Sequence, residues 1–264
     1  MNSSQQFFAN TNFRMILLLF GFVLFLEFNG LQAQDVKDVE EKGIVYRNVR
    51  QSGISFTSTG LGVNYRKGKH LTGFSFLLGD FSFSNMRDPK EIRSVNPFSD
   101  NTGGYHYGKM NTFFVLHAGI GKQKTINPKG DKGGVEIGYG YYGGFSAGFL
   151  KPVYLTVFYV DDQDGGVRER VEKYDPLKHY PDNISGKASF FKGIGETKFH
   201  PGVYGSFLLN FEFGKQQQKL KMIETGVTLD VFPGSVQLMA YNKPTNYFLS
   251  FFIRILYGKQ WNRK

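Results

Sequence analysis

From about residue 50 onwards, most of the chain alternates apolar and polar side chains with a period of two, which is the pattern of β-strands. In the last such stretch Tyr247, Leu249 and Phe251 lie on one face, and Ser250 and Arg254 lie on the other. Apolar residues do not recur at helical spacing over ten or more residues in this part of the chain, so an all-β fold is predicted. The predicted strands are 52–65, 70–83, 110–121, 134–142, 145–160, 203–213, 223–231 and 247–257.

The predicted connections between these strands differ in length. Short turns are expected at 66–69, 143–144 and 214–218, and longer connections at 86–106, 122–132, 161–200 and 233–245. Within 52–65 the alternation changes phase near Gly60. The segment 161–200 is the longest connection and is polar, and loops of this length in compact domains are usually functional or mobile.

The two faces of the predicted strands favour a membrane barrel over a soluble β-sandwich. The apolar faces are bulky and aromatic, whereas the polar faces are rich in Gly, Ser, Thr and Asn and carry few Lys. A transmembrane barrel turns its apolar faces to lipid and keeps a polar interior. Because lipid offers no hydrogen-bond partners, such a sheet has to close on itself. The sequence therefore predicts a closed antiparallel transmembrane β-barrel of about eight strands with long loops.

Residues 1–33 have the composition of a secretory signal peptide. Arg14 is the only charge before the apolar run 15–26, and Ala33 is a small residue at the expected cleavage point. A basic residue, an apolar core of about 7–15 residues and a small residue at the cut define such signals. We expect 1–33 to be removed, 34–49 to form a periplasmic leader, and 50–264 to form the barrel of an outer-membrane protein.

Composition narrows the possible chemistry. The chain has 264 residues, no Cys and a formal net charge of +10. The absence of Cys excludes disulfides, thiolate metal sites, Cys nucleophiles and lipid-modified N-terminal cysteines. The basic charge is dispersed along a chain that we expect to be exported, so outer-membrane lipid and the phosphates of lipopolysaccharide are more plausible partners than nucleic acid.

Charged residues on the polar faces predict a network inside the barrel. These residues are Glu136, Glu212, Glu224, Asp230 and Arg254, with His117 as a further counter-charge. The interior of an eight-stranded barrel is just wide enough for side chains to fill it, and charges in such a space have to pair. Two interpretations remain open, a permanently closed polar core and a salt-bridge gate in a narrow pore.

Other motifs do not predict a catalytic, cofactor or metal site. The stretch 138–143 matches G-x-G-x-x-G but lies within a strand instead of preceding a helix, which argues against dinucleotide binding. The acidic stretch 161–165 lacks the spacing of an EF-hand. No Ser–His–acid set can be recognised along one face around the five histidines His70, His106, His117, His179 and His200. We therefore expect a protein that is not an enzyme and binds no cofactor.

Five segments carry a resemblance to known proteins. They are DPKEIRSVNPF (88–98), YGKMN (107–111), GFLKPVYL (148–155), YDPLKHYPDN (174–183) and NKPTNYFLSFFIRILYGKQW (242–261). With these segments the chain resembles small Gram-negative outer-membrane β-barrel proteins and, more narrowly, a barrel family of Bacteroidota with no assigned activity. The resemblance implies an outer-membrane barrel and carries over no functional residue.

The expected function is a structural or accessory role in the cell envelope, with the loops as the surface that contacts partner proteins of an envelope complex. Two alternatives remain within the membrane: a narrow gated channel, and a barrel enzyme that modifies lipids at the membrane rim. A soluble periplasmic lipocalin-like binder is a further alternative.

Overall fold

The computed structural model describes residues 46–97, 104–129, 134–161, 165–213 and 218–262. The strands are β1 (Asn48–Thr57), β2 (Gly60–Thr72), β3 (Ser75–Met86), β4 (Arg93–Ser94), β5 (Tyr105–His106), β6 (Asn111–Asn127), β7 (Glu136–Pro152), β8 (Tyr154–Val160), β9 (Val167–Lys173), β10 (Ile184–Lys187), β11 (Lys198–Glu212), β12 (Lys219–Val236) and β13 (Thr245–Trp261). A 3-10 helix spans Ile194–Glu196. Within these residues, no helix has the length and apolar character needed to cross a membrane.

The predicted signal peptide, 1–33, lies outside the described residues, as does most of the predicted leader. Strand β1 begins at Asn48, within the last two residues of that leader.

Eight antiparallel strands form a closed barrel in the order β1-β13-β12-β11-β7-β6-β3-β2, and β1 pairs with β2 to complete the ring. Strand β1 begins and β13 ends at one end of the barrel, where β2 also connects to β3, β6 to β7, and β11 to β12. We call this the turn end, and the opposite end the loop end. The prediction of a closed antiparallel barrel of about eight strands is confirmed.

The predicted strand 52–65 is wrong, because it is two strands joined by a tight hairpin. Thr57 pairs with Gly60 and Phe56 pairs with Leu61 across the turn at 58–59. Paired residues point to the same face, so a two-residue turn moves the outward positions from even to odd numbers. The change of phase near Gly60 is therefore the hairpin itself.

The predicted turn at 143–144 is also wrong, because β7 runs through it without interruption. Tyr141 and Phe145 both lie on the outer face, so the alternation keeps its phase across the two glycines. Gly144 pairs with Gly119 of β6. A Cβ added at Gly119 would lie 2.7 Å from the hydroxyl of Tyr204. These glycines make room for a neighbouring side chain and for close backbone contact.

The other two predicted short turns, 66–69 and 214–218, have different outcomes. Residues 66–69 lie inside β2, where Arg66 pairs with Asp80 of β3, so this predicted turn is wrong. The turn at 214–218 lies between β11 and β12, although 214–217 are outside the described residues. Two opposite errors, one merged pair of strands and one divided strand, left the predicted number of barrel strands correct.

The barrel turns apolar side chains outwards and polar side chains inwards. On neighbouring strands Phe56 pairs with Leu61 on one side and with Ile253 on the other, and all three side chains are about half exposed. Inward polar side chains are buried, among them Ser55, Asn64, Arg66, Asp80, His117, Gln123, Ser146, Asn210, Glu224, Asp230 and Arg254. This arrangement inverts that of a soluble protein.

The lumen also contains large apolar side chains that the sequence pattern did not reveal. One buried cluster lies mainly towards the turn end and comprises Val49, Phe76, Leu78, Tyr142, Tyr204, Leu208, Leu220 and Phe252. A second lies at the loop end and comprises Met86, Phe113, Val115, Leu150, Phe232, Val236, Leu238 and Met239. The two clusters occupy the lumen on either side of its charged centre, as expected for an eight-stranded barrel, whose interior is just wide enough for side chains to fill it.

The loop end carries an additional sheet of order β10-β8-β9, which we call the loop-end sheet. It packs through a third buried cluster formed by Tyr105, Leu155, Val157, Tyr174 and Ile184. The segment 161–200, predicted as a loop with no sustained pattern, contains β9, β10, the 3-10 helix and the start of β11. Strands β9 and β10 have only seven and four residues, so each gives too short an alternation to be recognised in the sequence.

Candidate functional site

Arg66 is the centre of the charged layer in the lumen. Its Nε donates to Oδ1 of Asp80 at 2.6 Å, and its Nη1 donates to both carboxylate oxygens of Glu224 at 2.7 and 2.9 Å. Its side chain is completely buried, as is that of Glu224. The guanidinium also lies 4.2 Å from the centroid of the Tyr142 ring, where the ring face attracts a cation. We call Arg66, Asp80, Glu224 and Arg254 the central brace.

Further contacts extend the central brace around the barrel. Nη1 of Arg254 lies 3.7 Å from Oε2 of Glu224, and Nε2 of Gln123 donates to Oε1 of Glu224 at 2.9 Å. The hydroxyl of Tyr204 donates to Oδ2 of Asp80 at 2.8 Å. Two arginines thus face two carboxylates, and their contacts join strands β2, β3, β6, β11, β12 and β13. Such a balanced set is costly to break, because removing one partner leaves a buried charge without its counter-charge.

A second polar group lies next to the central brace and has the hydrogen-bond order of a Ser–His–Asp triad. Nε2 of His117 lies 2.7 Å from Oδ1 of Asp230, and Nδ1 of His117 lies 3.0 Å from Oγ of Ser82. Ser146 also donates to Oδ1 of Asp230 at 2.7 Å. Because a carboxylate only accepts hydrogen bonds, Nε2 carries the proton, and Nδ1 of a neutral ring accepts from Ser82.

The space beside this group limits its chemistry. A cavity of about 30 Å³ lies against Ser82, His117, Asp230 and Arg254. Ligand pockets usually measure about 300–1,000 Å³, whereas a water molecule needs about 10–15 Å³ of such space. Asn64 also lines the cavity, and neither atom of its side-chain amide finds a hydrogen-bond partner among the described residues. The geometry fits one or two bound water molecules beside a buried hydrogen-bond relay.

The five predicted lumen residues separate into three places. Glu224 and Arg254 belong to the central brace, and Asp230 pairs with His117. Glu136 and Glu212 are paired in register near the turn end. There Glu212 accepts from Nζ of Lys129 at 2.6 Å, and Glu136 accepts from the hydroxyl of Thr125 at 2.8 Å.

Arg66, Asp80 and Ser82 of the site are not among the residues predicted from the sequence. The sequence pattern predicts a turn at 66–69, and Asp80 lies in a stretch rich in Phe and Gly on both faces. Ser82 was not connected with His117 and Asp230, because the three residues come from β3, β6 and β12. The change of phase near Gly60 is the sequence signal that could have placed Arg66 in a strand. If it had been interpreted as a hairpin, β2 would have continued past residue 65 and turned Arg66 inwards.

The loop-end sheet has a second cavity, of about 430 Å³. Its lining includes Glu172, Tyr174, Asp175 and His179. Nδ1 of His179 accepts from the backbone N–H of Asp175 at 2.9 Å, and Nε2 of His179 lies 3.5 Å from Oε2 of Glu172. Burial raises the pKa of Tyr174 above its usual value. These contacts fold the predicted segment 174–183 into an ordered turn.

The two sites carry no motif for binding a metal ion or a nucleotide among the described residues. Among the described residues, no group of three or more His, Cys, Asp or Glu side chains is arranged to hold a metal ion. Residues 162–164 of the acidic stretch lie outside the described residues. The stretch 138–143 lies inside β7, so its glycines do not form a phosphate-binding loop.

Comparison with known proteins gives a likeness of fold. No protein-family model and no curated protein sequence matches this chain. Neisserial surface protein A (NspA) aligns with a TM-score of 0.41 and 8% identity over 82% of this chain and 96% of NspA. Ail, the attachment invasion locus protein of Yersinia pestis, aligns in its complex with the heparin analogue sucrose octasulfate with a TM-score of 0.38 and 9% identity, over 82% of this chain and 99% of Ail. The closed barrel is defined by this chain's own strand pairing.

Proposed function

We propose that this protein is an integral outer-membrane β-barrel, exported by its N-terminal signal peptide, with a structural or accessory role in the cell envelope. The outward face supports the membrane location. Exposed apolar side chains continue from strand to strand, as in the paired residues Phe56, Leu61 and Ile253. Soluble monomers rarely expose a contiguous apolar patch larger than a few hundred Å².

The lengths of the connections support one orientation. Outer-membrane barrels of this kind have short periplasmic turns and longer extracellular loops. The turn end therefore faces the periplasm, and the loop-end sheet faces the outside of the cell. The acyl chains surround the barrel wall, and the phosphates of lipopolysaccharide lie near the loop end.

The apolar clusters in the lumen are the observation that supports the structural role most directly. Apolar clusters occupy the lumen on both sides of the central brace, so the surfaces left for function are on the outside. The loop-end sheet is the proposed contact surface for other envelope proteins. Its edge strand β9 exposes Val167 and Val171, and an exposed edge can pair with a strand of another chain.

Detergent extraction tests the membrane location. We expect the mature protein to require detergent and to migrate faster on gels before heating than after it, because the closed barrel resists denaturant. A mature chain that remains a folded monomer in detergent-free buffer would overturn the proposal.

Photocrosslinking in cells tests the contact surface. A crosslinker at Val171 on β9 should give a discrete adduct with one protein, whereas the matched position Val135 near the turn end should not give that adduct. Identical adducts from both positions would contradict a specific loop-end contact.

Planar-bilayer recording separates the structural role from the channel alternative. We expect no discrete conductance steps from the folded barrel, because side chains fill its lumen. Steps in the wild-type protein that change in Arg254→Ala would support the gated channel instead.

A further inference from the structure

Residues 188–197, between β10 and β11, lie against the outside of the barrel wall instead of over the lumen. The ring of Phe190 packs edge-on against Phe114 with 6.1 Å between centroids. Phe114 in turn stacks on Phe83 at 5.7 Å, and both belong to the outward faces of the neighbouring strands β6 and β3. We call residues 188–197 the Phe190 loop. It is therefore continuous with the apolar outer face of the barrel.

The Phe190 loop is held in a defined conformation. Nζ of Lys151, at the end of β7, lies 5.1 Å from the centroid of the Phe190 ring. Glu196 accepts from the hydroxyl of Tyr154 and from Nζ of Lys173, the latter at 2.9 Å. The loop is thus attached at one side to the barrel wall and at the other to the loop-end sheet.

This attached loop exposes large apolar side chains. The side chains of Phe190, Phe191 and Ile194 are 53%, 76% and 47% exposed, respectively. Phe191 packs edge-on against Phe190 at 5.9 Å, so the exposed rings form one patch. Exposing three large apolar side chains within five residues to water is unfavourable. These side chains adjoin the face that we assign to lipid.

The charges around the patch match a lipid surface. Lys187, Lys192 and Lys198 are exposed just before, within and just after the Phe190 loop. Aromatic side chains at the level of the headgroups, together with lysines that reach lipid phosphates, are typical of interfacial membrane anchors. Lysine is a strongly hydrated point charge that suits a phosphate group at a wet interface.

We propose that the Phe190 loop is a membrane anchor outside the strands, which inserts Phe191 and Ile194 into the outer leaflet and binds a lipid phosphate through Lys192. This inference rests on the proposed membrane location of the barrel. The loop thereby fixes the height and tilt of the loop-end sheet above the membrane.

Depth-dependent fluorescence quenching tests the anchor. Trp261 is the only tryptophan, so the Trp261→Phe protein provides a silent background. In that background, Phe191→Trp reports on the anchor, Phe251→Trp on the outer face of β13, and Leu177→Trp on an 81% exposed side chain of the 174–183 turn. Each refolded protein is placed in vesicles whose lipids carry bromine at a shallow or a deep acyl position.

The three reporters give distinct results. We expect shallow bromine to quench Phe191→Trp more than deep bromine, because an interfacial anchor enters only about 5–10 Å below the surface. Both labels should quench Phe251→Trp, and neither should quench Leu177→Trp. Quenching of Phe251→Trp without quenching of Phe191→Trp would overturn the anchor and leave the membrane location intact. No quenching of Phe251→Trp would overturn the membrane location itself.

A charge variant tests the phosphate contact. In vesicles that contain lipid A, Lys192→Glu in the Phe191→Trp protein should reduce shallow quenching and shift emission to the red, whereas Lys178→Glu on the 174–183 turn should not. Equal quenching with and without Lys192 would overturn the phosphate contact. Blue-shifted Phe191→Trp emission without bromine quenching would show that protein covers the patch, which would overturn the anchor.

Discussion

Charged side chains occur in two very different regions of this molecule, the lumen and the loop-end sheet. In the lumen Arg66 is fully buried and bonded to Asp80 and Glu224. On the loop-end sheet Nη1 of Arg168 lies 3.1 Å from Oδ2 of Asp161, but the arginine side chain is about half exposed. The distances are similar, whereas the surroundings are not. The comparison teaches that burial, and not the presence of an ion pair, decides how much such a pair contributes to the fold.

The largest effect is expected from removing the central cation. Arg66→Met leaves Asp80 and Glu224 buried with only the more distant Arg254, and breaking a buried pair costs about 3–5 kcal/mol. The measurement is the free energy of unfolding by urea in detergent. Arg66→Lys is the matched control and should recover part of the loss, because it keeps the charge but not the planar fork. A loss of stability below about 1 kcal/mol would mean that the buried ion pairs contribute no more than exposed ones, which would contradict the comparison.

A smaller effect is expected from filling the close approach inside the wall. Gly144→Ala adds a methyl group against the backbone of Ala118 and Gly119, and overpacking of this kind costs about 1–3 kcal/mol. Gly73→Ala, in the turn between β2 and β3, is the matched control because its added methyl group meets no atom within 4 Å. The two variants are compared by their unfolding midpoints in urea, and equal midpoints would contradict the packing argument.

The Ser82–His117–Asp230 group tests whether burial also suppresses chemistry. Ser82→Ala removes the hydrogen bond to Nδ1 of His117 and should cost about 1–2 kcal/mol of stability, because a buried acceptor loses its partner. A fluorophosphonate probe should leave Ser82 unlabelled in the folded barrel, since the adjoining cavity has only about 30 Å³. Labelling of wild-type Ser82 that disappears in His117→Ala would instead support the lipid-modifying enzyme.

A still smaller effect is expected from the exposed pair. Arg168→Ala should change the free energy of unfolding by no more than about 1 kcal/mol, because solvent screens exposed ion pairs. The difference from wild type should shrink further as salt is added. A loss as large as that of Arg66→Met would contradict the comparison.

The smallest effect is local and depends on pH. The hydrogen bond from Tyr154, together with Lys173, holds the pKa of Glu196 below its usual value. A carboxylate with a lowered pKa stabilises the folded state above its unfolded pKa, about 4.3, and this contribution is lost as the pH falls through the folded value. Protection of the amides of residues 188–197, measured relative to intrinsic exchange at each pH, should therefore fall only as the pH drops below the unfolded pKa of the glutamate. Glu196→Gln should show the lower protection already at pH 7.

Several features of the fold could be predicted because they are local. The outward side chains of β12 and β13 follow the alternation, and the predicted strand 247–257 lies within β13, which extends it at both ends. The error at 143–144 came from treating two glycines as a turn, whereas the error at 52–65 came from placing no turn at the change of phase near Gly60. The phase of the alternation was the better guide, because a two-residue hairpin reverses it at residue 60 and an unbroken strand preserves it past residue 144.

The sequence by itself determined the class of fold and the inward position of Glu136, Glu212, Glu224, Asp230 and Arg254, because successive side chains of a strand point to opposite faces. Only the tertiary structure decided which of these residues meet. Arg66 and Glu224 are 158 residues apart, and His117 and Asp230 are 113 apart. Their meeting depends on how the closed sheet sets the register of each strand against the next, and no local pattern contains that information.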